Sequence, residues 1–97
     1  MGTKVKVKLF LRAKKVPAQS KIELEVENAT LKSLLDELSA KYVENLIGLL
    51  FDPENNKVRP YYQILVNGCR YQNLLGGLNA KLNDGDVVGI FSPVAGG

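Results

Sequence analysis

Hydrophobic and polar positions alternate along residues 4–12: Val5, Val7, Leu9 and Leu11 fall on one side, Lys4, Lys6, Lys8, Phe10 and Arg12 on the other. A period of two marks a half-buried strand. Residues 13–20, with Pro17, read as a loop. Residues 21–27 alternate again, with Ile22, Leu24 and Val26 inward and Glu23, Glu25 and Glu27 outward. A lysine-faced strand followed by a glutamate-faced strand predicts an antiparallel hairpin with opposite charges across its ladder, each pair worth some tenths of a kcal/mol. Phe10 breaks the polar face of the first strand.

The period then changes. Asn28-Ala29-Thr30 precedes Leu31, Leu34, Leu35, Leu38 and Tyr42, which follow the i, i+3, i+4, i+7, i+11 stripe of one buried helical face. Thr30 is the expected N-cap. Residues 46–51 are apolar but short and broken by Gly48, and the reading they allow is a second helical turn that plugs one end of the core. Residues 52–57 read as an exposed loop by composition.

Residues 61–66 return to a strand, Ile64 and Val66 inward, Gln63 and Leu65 outward. Asn67-Gly68 is a strong hairpin signal, because a type I′ turn needs positive φ at both central residues. A short strand over 69–71 is expected after it, with Cys69 a structural or incidental thiol beside the turn. Residues 73–80 read as an irregular crossover. Gly76-Gly77 lacks the strand-before and helix-after context of a phosphate loop, so it reads as a turn. Asn83-Asp84-Gly85-Asp86 then opens a last strand over 87–91, and Pro93, with no N–H for a ladder, ends the sheet.

The order β-β-α-β-β-β, with a hairpin, a helix across it and a final strand returning to the middle, describes an α+β β-grasp, the ubiquitin-like fold. It predicts a mixed sheet of four to five strands with one main helix packed across it. Residues 1–91 form the domain and 92–97 a tail, which is expected to be disordered because nothing in it offsets the ordering entropy. Fold alone does not give function.

Composition narrows the chemistry. The 97 residues make one domain, at 45% hydrophobic and 24% charged. No apolar run approaches a membrane span and the N-terminus carries no signal-peptide core, so a cytoplasmic protein is expected. A single cysteine cannot form an internal disulfide. The net charge of +3 is basic but below the level of a nucleic-acid binder. With no histidine and one cysteine, the familiar zinc patterns and the Cys-His nucleophile pair are excluded. No metal site and no bound cofactor are expected, and the chain is not expected to be an enzyme.

The last six residues, Ser92-Pro93-Val94-Ala95-Gly96-Gly97, are what the rest is built to present. A Gly-Gly carboxylate suits passage through a narrow channel, since only residues without Cβ allow such close backbone approach. At a nucleotide site the carboxylate can attack the α-phosphate of ATP and become an acyl-adenylate. A sulfur donor or a cysteine thiolate can then displace AMP. The catalytic groups belong to the partner, and this chain supplies the electrophile.

Ile64-Leu65-Val66-Asn67-Gly68, then residues 82–91 (Leu82-Asn83-Asp84-Gly85-Asp86-Val87-Val88-Gly89-Ile90-Phe91), then Pro93-Val94-Ala95-Gly96-Gly97 resemble the MoaD/ThiS-type sulfur carriers. The likeness is closer to the archaeal branch that includes the small ubiquitin-like modifiers. It spans nearly the whole chain and is most specific in the final sixteen residues. Ser92 stands where the family usually has a first proline. The resemblance implies activation of Gly97 by an ATP-dependent MoeB/ThiF-type enzyme. The product would be a thiocarboxylate that donates sulfur, as to molybdopterin, or an isopeptide bond to a lysine of a target protein. A molybdopterin synthase large subunit is the further partner implied in trans, and the free protein is expected to be a monomer.

Parity along the strands places Phe10, Leu65 and Phe91 outward, while Val7, Leu9, Ile64, Val66, Val88 and Ile90 face the core. In a β-grasp these strands are neighbours, so the three side chains are expected to form one apolar patch beside the root of the tail, rimmed by Lys8, Arg12 and Gln63. With Pro93, Val94, Ala95, Gly96 and Gly97 they form the expected binding and reacting surface. The competing class is a β-grasp binding module for RNA or protein with no C-terminal chemistry. The Lys-rich first strand is its only support.

Overall fold

The computed structural model describes residues 2–10, 20–43 and 45–91. The first alternating segment forms β1 (Gly2–Phe10) and the second β2 (Ser20–Glu27). Their antiparallel register sets Lys4 opposite Glu25 and Lys6 opposite Glu23, as the facing charges require. Among the described residues the close ion pairs lie instead on the helix, Lys32–Asp36 at 2.7 Å and Lys41–Glu37 at 2.6 Å. The cross-strand charges thus act at longer range than a direct pair. Ser20, expected in the loop, is already part of β2. Leu11, Arg12 and the rest of the expected loop lie outside the described residues, as does the tail, 92–97.

The helix α1 (Leu31–Lys41) starts where its cap predicts. The Ser33 amide donates to Thr30 Oγ1 at 3.1 Å, and the Thr30 amide donates to Ser33 Oγ at 2.8 Å, a reciprocal capping box with serine in the third position. Leu31, Leu34, Leu35 and Leu38 are fully buried against the sheet. Tyr42 is a correction: expected on the buried face, it is 47% exposed. The helix stops at Lys41, Tyr42 takes the cap position with φ −122°, and the chain turns so that Val43 enters the core instead. The Val43 amide then donates to the Leu38 carbonyl at 2.8 Å.

Residues 46–51 form the short helix α2 (Leu46–Leu50), with Leu46 and Leu50 buried, so the second helical turn is present. The loop expected over 52–57 is in part a small ladder. In it β3 (Phe51–Asp52) pairs antiparallel with β4 (Lys57–Val58). The strand β5 (Gln63–Val66) starts two residues later than expected. The Tyr62 amide is drawn back to the Arg59 carbonyl at 3.1 Å, closing a turn around Pro60 before the ladder begins. Asn67 (φ 52°) and Gly68 (φ 85°) have the two positive φ values of the predicted turn, which leads to β6 (Cys69–Arg70). Tyr71, expected in that strand, opens a 3-10 turn. A second such turn, Gly77–Asn79, follows, and Gly76-Gly77 forms a bend as read from the sequence. The chain ends its described course in β7 (Val87–Phe91).

Five strands make one mixed sheet in the order β2-β1-β7-β5-β6, with β7 parallel to β1 and antiparallel to β5. This is the β-grasp that the sequence predicts. The core lies between one face of the sheet (Val5, Val7, Leu9, Leu24, Val26, Ile64, Val66, Val88, Ile90) and α1. Among the described residues no helix packs on the other face. Among the described residues no helix is long and apolar enough to cross a membrane.

Candidate functional site

The central strand β7 is fastened hard at its start. The Lys4 amide donates to Asp84 Oδ1 at 2.7 Å, and the Gly85 amide donates to the Lys4 carbonyl at 2.8 Å. Asn67 closes the other side: its amide donates to the Val87 carbonyl at 2.7 Å and its Oδ1 accepts from the Val87 amide at 3.0 Å. The Asn67 Nδ2 in turn donates to Asp86 Oδ1 at 3.0 Å, while Asp86 Oδ2 accepts from the Asn83 amide at 2.8 Å. A carboxylate that accepts two such bonds fixes the two turns against each other. The result is a strand pinned by these bonds at its start, with Phe91 as its last described residue.

Because β1 and β7 are parallel, with Lys6 beside Val87 and Phe10 beside Phe91, both phenylalanines stand at the same end of the sheet. Their rings stack, with centroids 4.9 Å apart and planes 8° from parallel. Gly89 lies under the Phe91 ring. A Cβ built there would come within 2.9 Å of Phe91 Cε1, so the ring occupies the space a side chain would fill. Across β7, Leu65 is the lateral partner of Gly89 and Gln63 that of Phe91. Phe10, Leu65 and Phe91 are each half-buried, and Lys8 and Gln63 beside them are exposed.

The structure therefore brings Phe10, Leu65 and Phe91 together on the outer face, as parity along the strands required. Arg12, Pro93, Val94, Ala95, Gly96 and Gly97 lie outside the described residues. Sequence reasoning missed two contributors. Gly89 could have been found as the same-face residue two positions before Phe91, where lack of a side chain leaves room for a ring. The reach of Asn67 across to Asp86 carried no sequence signal beyond its turn, because the two residues are 19 positions apart. Cys69 is exposed and free.

A model of the ThiS family matches residues 7–97 of this chain. The small archaeal modifier protein 3 of Haloferax volcanii is 35% identical over 94 residues, which cover 96% of this chain and 98% of that protein. The solution structure of the small archaeal modifier protein 1 of Methanosarcina acetivorans has a TM-score of 0.74 at 29% identity, with 100% of this chain and 99% of the other covered. A protein of Pyrococcus furiosus proposed as subunit 1 of molybdopterin converting factor gives 0.68 at 31% identity, with 95% and 99% covered.

Proposed function

This chain belongs to the ThiS family, the ubiquitin-like group of sulfur carriers and small modifiers, and we propose that it works through activation of Gly97 by a partner enzyme. The carboxylate oxygen of Gly97 attacks the α-phosphorus of ATP in that enzyme's nucleotide site, and pyrophosphate leaves. The acyl-adenylate then has two fates. A sulfur donor displaces AMP to leave a thiocarboxylate, or the acyl group passes to a lysine of a target protein as an isopeptide bond. The likeness to a molybdopterin converting factor subunit supports the first fate, and the likeness to small archaeal modifiers supports the second. In both, the chain is a substrate and the enzyme supplies the catalytic groups.

The observation that carries this reading is the stacked Phe10–Phe91 pair at the last described residue of the central strand. On this reading the enzyme holds the body there while residues 92–97 reach its nucleotide. Fully extended they span roughly 20 Å at about 3.3 Å per residue. Phe10, Leu65 and Phe91 are then the docking surface, while Pro93, Val94 and Ala95 occupy the enzyme's channel. The test is ATP–pyrophosphate exchange by a MoeB/ThiF-type enzyme in the presence of this chain. Full-length chain should support exchange, and a chain lacking Gly96 and Gly97 should not, with its melting temperature unchanged. A truncated chain that still supports exchange would move the function to a β-grasp binding module.

A further inference from the structure

The lateral register across all five strands reveals a charge distribution that no single strand shows. Lys21, Lys8, Gly89, Leu65 and Arg70 are successive partners across β2, β1, β7, β5 and β6. They form one row on the outer face. The row beside it, toward the end of β7, is Phe10, Phe91 and Gln63. On the other side come Glu23, Lys6 and Val87, and beyond them Glu25 faces Lys4. Charges are thus balanced at the start of β7 and become wholly positive beside the aromatic pair.

Lys8 and Lys21 sit directly opposite each other, an arrangement that costs stability in an isolated sheet. Both are exposed, as is Arg70. Among the described residues none of the three side chains has an ion-pair or hydrogen-bond partner. The segment 11–19 that joins the two strands contains no Asp or Glu. The row next to the phenylalanine plate therefore carries two lysines at its β2–β1 end and an arginine at its β6 end, with no counter-charge in that row.

We propose that this face receives an acidic protein surface: carboxylates of the activating enzyme meet Lys8 and Lys21 at one end of the row and Arg70 at the other, with the Phe10–Phe91 plate seated beside them. The proposal rests on the docking reading above and adds the chemistry of the partner. Solvent-exposed charge pairs add only a few tenths of a kcal/mol to about 1 kcal/mol each to affinity. Their larger effect is on encounter, where complementary potentials raise association rates by about one to three orders of magnitude at low salt. A nucleic acid is the weaker fit. Sequence-tolerant base stacking needs free ring faces, and here the two rings are half-buried and stacked on each other.

The experiment is stopped-flow association of the full chain with its MoeB/ThiF-type enzyme, from about 0.01 to about 1 M NaCl, over which the screening length falls from about 30 to about 3 Å. Wild-type association should slow steeply with salt. Lys8→Glu combined with Lys21→Glu should lower the low-salt rate roughly tenfold or more and flatten the salt dependence. Arg70→Glu, in a two-residue edge strand, should act in the same direction and keeps the test sound should the double variant fold poorly. Unchanged rates and salt slopes in both variants, at unchanged melting temperature, would overturn the proposal. So would wild-type binding to poly-uridylate that the double variant loses while its association with the enzyme stays normal. Pyrophosphate exchange by wild type separates the two levels. Exchange with charge-insensitive association sinks only the acidic-partner inference, whereas no exchange at all sinks the activation reading with it.

Discussion

Phe91 meets three different demands at one position. Its backbone closes the ladder of the central strand, its ring stacks on Phe10, and its edge covers Gly89. The stack contributes about 0.5–1.5 kcal/mol on top of the area burial, and because both rings are only half-buried, removing either costs the fold less than emptying a core site does. Truncating a central aromatic anchor of an interface costs about 2 kcal/mol or more. Phe10→Ala and Phe91→Ala should therefore each weaken binding to the activating enzyme roughly thirtyfold, at about 1.4 kcal/mol per decade, and lose much less in unfolding free energy. Calorimetric titration beside thermal melts checks this. Large destabilisation with normal binding of the folded fraction would assign the rings to the core instead. Gly89→Ala gives an independent handle. The added methyl would sit 2.9 Å from Phe91 Cε1 and must push the ring aside. The variant should weaken docking in the same direction while both phenylalanines remain. Binding equal to wild type would mean that the stacked geometry does not matter.

Elements show where the sequence was readable and where it was not. The capping box that starts α1 should be worth about 1 kcal/mol, so Thr30→Ala is expected to lower unfolding free energy by that amount in urea. No change would mean that the helix start is held by packing alone. Tyr62 and Tyr71, partly buried against the core, give a pH handle. Burial raises both phenols above the usual range, with the neighbouring Tyr61 adding to the effect at Tyr62. A raised folded-state pKa means that the stability is fully present below the unfolded value, about 10, and declines as pH rises through the folded value. Melts of wild type should show this alkaline loss, and Tyr62→Phe with Tyr71→Phe should reduce it. Period-two and period-3.6 patterns made β1, β2, α1 and β5 legible because each buries one face, and burial leaves its mark residue by residue, whereas β7 was legible from its β-branched and aromatic residues and the turn cluster that opens it. The position of Phe10, Leu65 and Phe91 was legible for the same reason. Tyr42 was not, because the helix ends one residue before it and the next apolar residue, Val43, fills the core. The β3–β4 ladder escaped because two-residue strands around Pro53 have no period to read. The Asn67–Asp86 bridge escaped because only the closed sheet brings the two turns together.

At the scale of the whole molecule, the proposed function joins the five-stranded sheet and its stacked aromatic pair to the Gly96-Gly97 end of the sequence, the body being held while the carboxylate is offered to another protein's nucleotide. The helix-covered face holds the core, and in the proposed function the opposite face, which no helix covers among the described residues, meets the partner. Central to the account is that Gly97 is the reacting group. The most direct measurement is the intact mass of the full chain after incubation with its activating enzyme, ATP and a sulfur donor. The expected result is a gain equal to replacement of one oxygen by sulfur, located at Gly97 by fragmentation and absent when ATP is omitted or when one residue is appended after Gly97. An unchanged mass under conditions where the enzyme thiocarboxylates another carrier, or a modification found anywhere but Gly97, would contradict it.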